Sequence, residues 1–232
     1  MLGVLGGMGP LATVDFMQKV ISSSKAGSDQ EHIPMMVRNV PQIPDRTASI
    51  LYQGDDPYPA LLDGLQALER SGVQCVVIPC NTAHFWFDRL QQQAQVPMIS
   101  ILDCVSSAIH ARKIERVGLM ATNATVATGI YKQRIESEGG VCLTPDNDGQ
   151  EEIMRSIYDI KAGRTEEGCR RMEKIFNQLI SDDAQAVILG CTEIPVGLAD
   201  VVVQRPLQCI DATALLAEAC VSWYYSAQPM VA

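Results

Sequence analysis

Two cysteines stand out from the chain because their surroundings repeat. The segment Gly72-Val-Gln-Cys-Val-Val-Ile-Pro-Cys80-Asn-Thr-Ala aligns without gaps on Asp183-Ala-Gln-Ala-Val-Ile-Leu-Gly-Cys191-Thr-Glu-Ile. Each places a thiol after a short apolar run and before polar residues able to open a helix. A thiolate is a good acceptor of protons, and a thiol a good donor. Two equivalent thiols on opposite sides of one carbon suit two-base proton transfer at a stereocentre: one removes the α-proton and the other returns a proton to the opposite face. Mirror-image substrate and product then match a site with matched halves. The other six cysteines (75, 104, 142, 169, 209 and 220) read as small buried apolar residues. No C-x-x-C occurs and the three histidines lie far apart, which argues against a structural zinc or a thioredoxin-type pair.

The elements that must hold these thiols are legible as short apolar runs alternating with helical spacings. Strands are expected at Leu2–Leu5, Met35–Val40, Cys75–Ile78, Met98–Ile101, Val117–Met120, Ala186–Leu189 and Leu207–Ile210. Helices are expected at Leu11–Ser22, Tyr58–Arg70, Thr125–Glu138 and Gly168–Ile180. This alternation predicts βαβ units around parallel sheets. The repeat extends beyond the cysteines: Gly3-Val-Leu…Thr13-Val-Asp-Phe16 has a counterpart in Gly118-Leu-Met…Thr128-Gly-Ile-Tyr131. Pro97…Asp103 likewise has one in Pro206…Asp211. The expected fold is α/β, with two similar lobes related by a pseudo-twofold axis, each a mostly parallel sheet flanked by helices. Residues 1–100 form the first lobe and 101–206 the second, and the active site occupies the cleft between them. Ligands of such sheets bind at the carboxyl ends of strands, where both cysteines fall. Helix-start N–H groups there are expected to lower the thiol pKa values and to hold a carboxylate.

Composition bounds the partners. The 232 residues carry 18 Lys+Arg against 27 Asp+Glu, a net charge of −9. That sign disfavours nucleic acid and anionic membrane surfaces. No apolar run of transmembrane length occurs, and Met1–Gln18 lacks the basic start of a signal peptide, so a cytoplasmic location is expected. An anionic substrate would need a few placed cations and backbone N–H groups.

Gly6-Gly7-Met8-Gly9-Pro10, Pro79-Cys80-Asn81-Thr82-Ala83-His84 and Gly190-Cys191-Thr192-Glu193-Ile194 resemble the three signatures of the aspartate/glutamate racemase family, and the likeness runs the length of the chain. The resemblance implies an amino-acid racemase without PLP, metal or other cofactor, with Cys80 and Cys191 as acid and base. It implies a homodimer, and a C-terminal helix within 207–232 that packs back on the first lobe. Pro41-Gln-Ile-Pro-Asp45-Arg46-Thr47 and Ile160-Lys161-Ala-Gly163 are similar to the segments by which the aspartate branch grips a side-chain carboxylate, which implies Arg46 and Lys161 as its ligands. By the same likeness Met8, Asn81, Thr82 and Ala83 would bind the substrate from one side. Thr192 and Glu193 would face them, with Thr122 and Thr125 from the loop after Met120. His84 could face the Cys80 thiol or satisfy a backbone carbonyl.

Other readings remain at this level. Glutamate or hydantoin racemases are relatives, and one methylene separates aspartate from glutamate. Gly7-Met-Gly9-Pro-Leu-Ala12 satisfies G-x-G-x-x-A, which a nicotinamide-dependent oxidoreductase would use. A non-catalytic amino-acid-binding protein would use the same cleft without needing two thiols.

Overall fold

The computed structural model describes residues 1–227, and it contains two four-stranded parallel sheets. The first comprises β1 (Leu2–Gly6), β2 (Met35–Asn39), β3 (Cys75–Val77) and β4 (Met98–Ile99). The second comprises β5 (Arg116–Ala121), β6 (Val141–Leu143), β7 (Ala186–Gly190) and β8 (Cys209–Asp211). Their orders are β2-β1-β3-β4 and β6-β5-β7-β8, the same arrangement twice. The repeat in the sequence is thus a repeat in topology. Strands β1 and β7 are buried along their whole length, as expected of parallel strands covered on both faces.

Twelve α-helices among the described residues cover these sheets: α1 (Pro10–Ser23), α2 (Arg46–Leu51), α3 (Tyr58–Arg70), α4 (Phe87–Gln91), α5 (Ile101–Ala111), α6 (Asn123–Thr128), α7 (Ile130–Ser137), α8 (Asn147–Lys161), α9 (Thr165–Ser181), α10 (Glu193–Gly197), α11 (Ala199–Gln204) and α12 (Ala212–Ala227). Their starts are written in the sequence. Pro10 opens α1, and the Asp45, Ser100, Thr122 and Asp146 side chains accept backbone N–H groups at the starts of α2, α5, α6 and α8.

Three apolar cores result. One fills the outer face of the first sheet under α3, and one the outer face of the second under α8 and α9. The third is shared: Leu2, Phe16 and Val105 from the first half pack with Leu119, Tyr131 and Ile188 from the second, and Leu216 and Cys220 of α12 complete it. Helix α12 lies against α1 and α5, and the expected segment 207–232 is described as far as Ala227, with 228–232 outside the described residues.

Several expectations need correction. The boundary at 206 falls too early, because β8 pairs with β7 and belongs to the second sheet. Residues 206–208 form a 3-10 turn where strand was expected. Strand β4 ends at Ile99, since Ser100 caps α5 and Ile101–Leu102 are buried helix residues. The helix expected over Thr125–Glu138 is two helices, broken at Gly129, whose φ of +67° is left-handed. Strand β6 and helix α8 were not foreseen. No helix among the described residues is long and apolar enough to cross a membrane.

Candidate active site

Cys80 follows β3 by three residues and Cys191 follows β7 directly, so the two thiols approach the gap between the sheets from opposite lobes. Both line one small cavity, as do Met8, Arg46, Asn81 and Thr82 from the first half. Thr122, Lys161, Thr192 and Glu193 line it from the second half. Asp45 and Thr47, which flank Arg46, complete the wall; their signal was the loop already read for Arg46. The cavity measures about 20 Å³, enough for about one water. It adjoins an open cleft of about 620 Å³, with which it shares Asp45, Arg46, Lys161, Thr192 and Glu193. Two expected residues do not reach the wall: Ala83 and Thr125 are fully buried behind it.

The loop after β1 makes the close approach possible. Gly7 has φ +99°, and a Cβ there would lie 2.4 Å from the backbone of Val40. Its N–H donates to Thr13 Oγ1 on α1 at 2.9 Å, which fixes the turn. A Cβ on Gly9 would sit only 3.4 Å from Glu193 Oε1. The glycine loop therefore faces a carboxylate of the other lobe, a poor neighbour for the diphosphate of a dinucleotide.

Three groups have donors to spare. Arg46 is 8% exposed: Nη1 donates to the Ile43 and Pro44 carbonyls at 3.2 and 3.0 Å, while its Nε is buried without a partner. It is no solvated surface charge. Asn81 Oδ1 accepts from the Tyr131 hydroxyl, leaving its Nδ2 buried and unpartnered. Tyr131 was missed as a site residue, since nothing near it in sequence announces that contact. Lys161, at the last turn of α8, has a side chain 32% exposed and holds its Nζ 4.0 Å from Glu193 Oε1. Desolvation, the largest influence on its ammonium, lowers the pKa, but Glu193, Cys191 and Cys80 together raise it above the ordinary value.

The two thiols differ in their partners. Cys191 Sγ donates to Glu193 Oε2 at 2.9 Å, and Thr192 Oγ1 donates to the same oxygen at 3.1 Å. Burial and the Glu193 carboxylate push the Cys191 thiol well above its ordinary value, with Lys161 acting the other way. This reverses the expectation that helix-start N–H groups would lower it: burial first, and then a carboxylate at hydrogen-bond distance, outweigh the partial charges of a short helix. His84 serves the Cys80 backbone. Ile101 N–H donates to its Nε2 at 3.0 Å, so Nδ1 carries the proton and donates to the Cys80 carbonyl at 2.9 Å.

The lobes are pinned together beside the thiols. Thr82, Thr122 and Thr125 form a triangle of buried hydroxyls, every pair 3.0 Å apart. Each can donate to one neighbour and accept from the other.

Comparison with known proteins gives the family and the fold. The sequence pattern described as Asp/Glu/Hydantoin racemase matches residues 5–220. The chain belongs to that family. It is 29% identical to the broad specificity amino-acid racemase RacX of Bacillus subtilis over 98% of this chain and 100% of that one. Among solved structures it resembles the Picrophilus torridus aspartate racemase with a TM-score of 0.87 and 31% identity, over 96% of this chain and 93% of that one. An aspartate racemase homologue from Pyrococcus horikoshii shares the fold at TM-score 0.77 and 24% identity, over 97% and 98% of the two chains.

Proposed function

We propose that this racemase-family protein interconverts L- and D-aspartate by proton transfer between Cys80 and Cys191, without PLP or metal. The reading rests on one observation: two thiols from matched positions of the two lobes share a cavity with Arg46, Asn81 and Lys161. The likeness to an aspartate racemase over nearly the whole chain supports aspartate as the substrate.

In one direction the Cys80 thiolate takes the Cα proton, and the carbon receives the proton of the Cys191 thiol on its other face. The Cys80 sulfur ends protonated and the Cys191 sulfur ends negative. Reverse turnover exchanges the roles. Glu193, hydrogen-bonded to Cys191, can take the thiol proton when Cys191 must act as base. Asn81 Nδ2 is a donor for the substrate α-carboxylate, where charge builds as the carbanion forms. Arg46 and Lys161 receive the side-chain carboxylate, and Glu193 is within the site to accept from the ammonium. An amino acid needs more room than one water occupies, so the side chains shared by the cavity and the open cleft, which form a neck between them, move apart on entry.

The test is loss of the α-proton NMR signal of L-aspartate in deuterated water, with dialysed protein, a chelator and no added PLP. Wild type should exchange the proton and form D-aspartate. Cys80→Ser and Cys191→Ser should each lower racemisation by a factor of at least about 10³ while keeping the circular dichroism of wild type, because a hydroxyl is a far weaker acid that neither gives up its proton readily nor forms the alkoxide needed to take one. Near-wild-type turnover by either variant overturns the two-base assignment. Binding of aspartate without exchange by wild type favours a binding protein instead.

A further inference from the structure

The open cleft outside the thiol cavity has a chemistry of its own. Its shared end is polar, with Asp45, Arg46, Lys161 and Glu193, whose charges cancel. Beyond that neck no lining residue is charged, and the walls are largely apolar: Pro10, Leu11, Pro44 and Ile43 from the first half, Ile160 and Val196 from the second. Leu11 keeps 58% of its surface exposed at this cleft, although most large apolar residues of the chain are buried. At about 620 Å³ the space lies within the range of small-molecule sites and far exceeds the end of an aspartate side chain.

We propose that the cleft receives the substituent of side-chain amides of acidic amino acids, and that the protein racemises these as well as aspartate. The inference rests on the proton-transfer reading above. The substrate class is an α-amino acid with free ammonium and α-carboxylate whose side-chain carboxyl is joined through an amide to an apolar group. Its head lies between Cys80 and Cys191, where the Cα–H bond breaks and re-forms as before. Its amide carbonyl accepts from Arg46, whose buried Nε has no other partner. Its apolar substituent passes the neck and covers Leu11, Ile43 and Val196. A longer side-chain carboxylate would fit worse, since no cation lies beyond the neck. An amide carries no charge, but its carbonyl oxygen can still accept from the Arg46 donors that receive the aspartate carboxylate.

The experiment follows α-proton exchange in deuterated water for L-aspartate and N4-benzyl-L-asparagine, using wild type and Leu11→Ser. Leu11 is exposed and does not line the thiol cavity, so the substitution should leave the fold and aspartate exchange within about twofold. Wild type should exchange both compounds, and Leu11→Ser should lower kcat/KM for the benzyl amide about tenfold, the loss of one apolar contact. Val196→Trp, which fills the cleft from the other side, should lower it further. Exchange of aspartate but not of the benzyl amide by wild type overturns the inference alone. Equal benzyl-amide turnover by wild type and both variants also overturns it, by showing that the substituent lies elsewhere. Exchange of neither compound overturns the racemase reading on which it rests.

Discussion

His84 should carry a defined share of the protein's acid sensitivity. The ring is buried, stacked on Phe87, and uses both nitrogens: Nδ1–H toward the Cys80 carbonyl and Nε2 for the Ile101 N–H. A second proton would convert that acceptor to a donor facing a donor. Burial, the largest cause, lowers the His84 pKa to about 4, against the opposing pulls of the Cys80 carbonyl and Asp103. In the unfolded chain the ring titrates near about 6.5. Above that pH neither state binds the proton, and the His84 contribution to stability is complete. Between there and pH 4 only the unfolded chain takes up the proton, so stability falls as the pH falls; below it both states are protonated and nothing more is lost. A separation of about 2.5 pH units corresponds to about 3 kcal/mol, of which about 2 kcal/mol has gone by about pH 5. Asp103 and Arg134 act on the ring electrostatically and pair with each other, and other carboxylates titrate in the same range. The informative quantity is therefore the difference between wild type and His84→Gln, whose amide also donates and accepts but does not titrate. Urea unfolding at pH 7.5 and pH 5 should show the variant gaining about 2 kcal/mol relative to wild type on acidification. Parallel pH profiles would refute the assignment of a neutral, doubly bonded ring.

Three further outcomes follow from the site. Arg46→Ala should weaken L-aspartate binding about tenfold to a hundredfold, the worth of a charged hydrogen bond of about 1.5–3 kcal/mol, and calorimetry showing unchanged affinity would remove Arg46 from the site. Thr125→Val leaves Thr82 and Thr122 each one hydroxyl partner short in a buried place, so urea unfolding should show a loss of about 1–3 kcal/mol. In a double-mutant cycle with Thr82→Val the losses should be less than additive; full additivity would mean that the hydroxyls do not act as a ring. Gly7→Ala should destabilise by at least about 2 kcal/mol in thermal or urea melts, because both the φ of +99° and the Val40 backbone oppose a Cβ; an unchanged melting point would contradict the turn described for this loop.

How much of this could be read from the sequence depends on the range of each interaction. The cysteine motifs were legible because strand, turn and thiol are neighbours in the chain, and the repeat correctly implied two like sheets. Apolar runs alone misled at Ile101–Leu102, where a buried helix start and a strand end look alike until the Ser100 cap is weighed. Helix α8, which delivers Lys161, escaped because its apolar stripe (Ile153, Met154, Ile157, Ile160) begins only half-way along a polar segment. The threonine triangle joins residues 40 and 43 positions apart, and the Tyr131–Asn81 bond spans 50. No local pattern announces contacts of that separation. The direction of the Cys191 pKa depends first on burial in the folded chain, which no local pattern shows, and then on the carboxylate of Glu193, two residues further on.

The Glu193–Cys191 contact also marks how the duplicated site has diverged. The alignment sets Thr82 against Glu193, the residues two positions after each cysteine. In the first lobe this position binds the lobes together through hydroxyls; in the second it holds the neighbouring thiol with a carboxylate. The halves are therefore alike in backbone and unlike in what this position does, with the Cys191 proton held by burial and by Glu193. Such asymmetry cannot favour one enantiomer at equilibrium, since free L- and D-aspartate have equal energy in water. It follows that kcat/KM must be the same in both directions for the proposed reaction. The strong hold of Glu193 on one thiol can then appear only as a paired change, a larger kcat for one enantiomer matched by a proportionately larger KM. Releasing that hold by Glu193→Gln should bring the two kcat values closer while their kcat/KM ratio stays at unity.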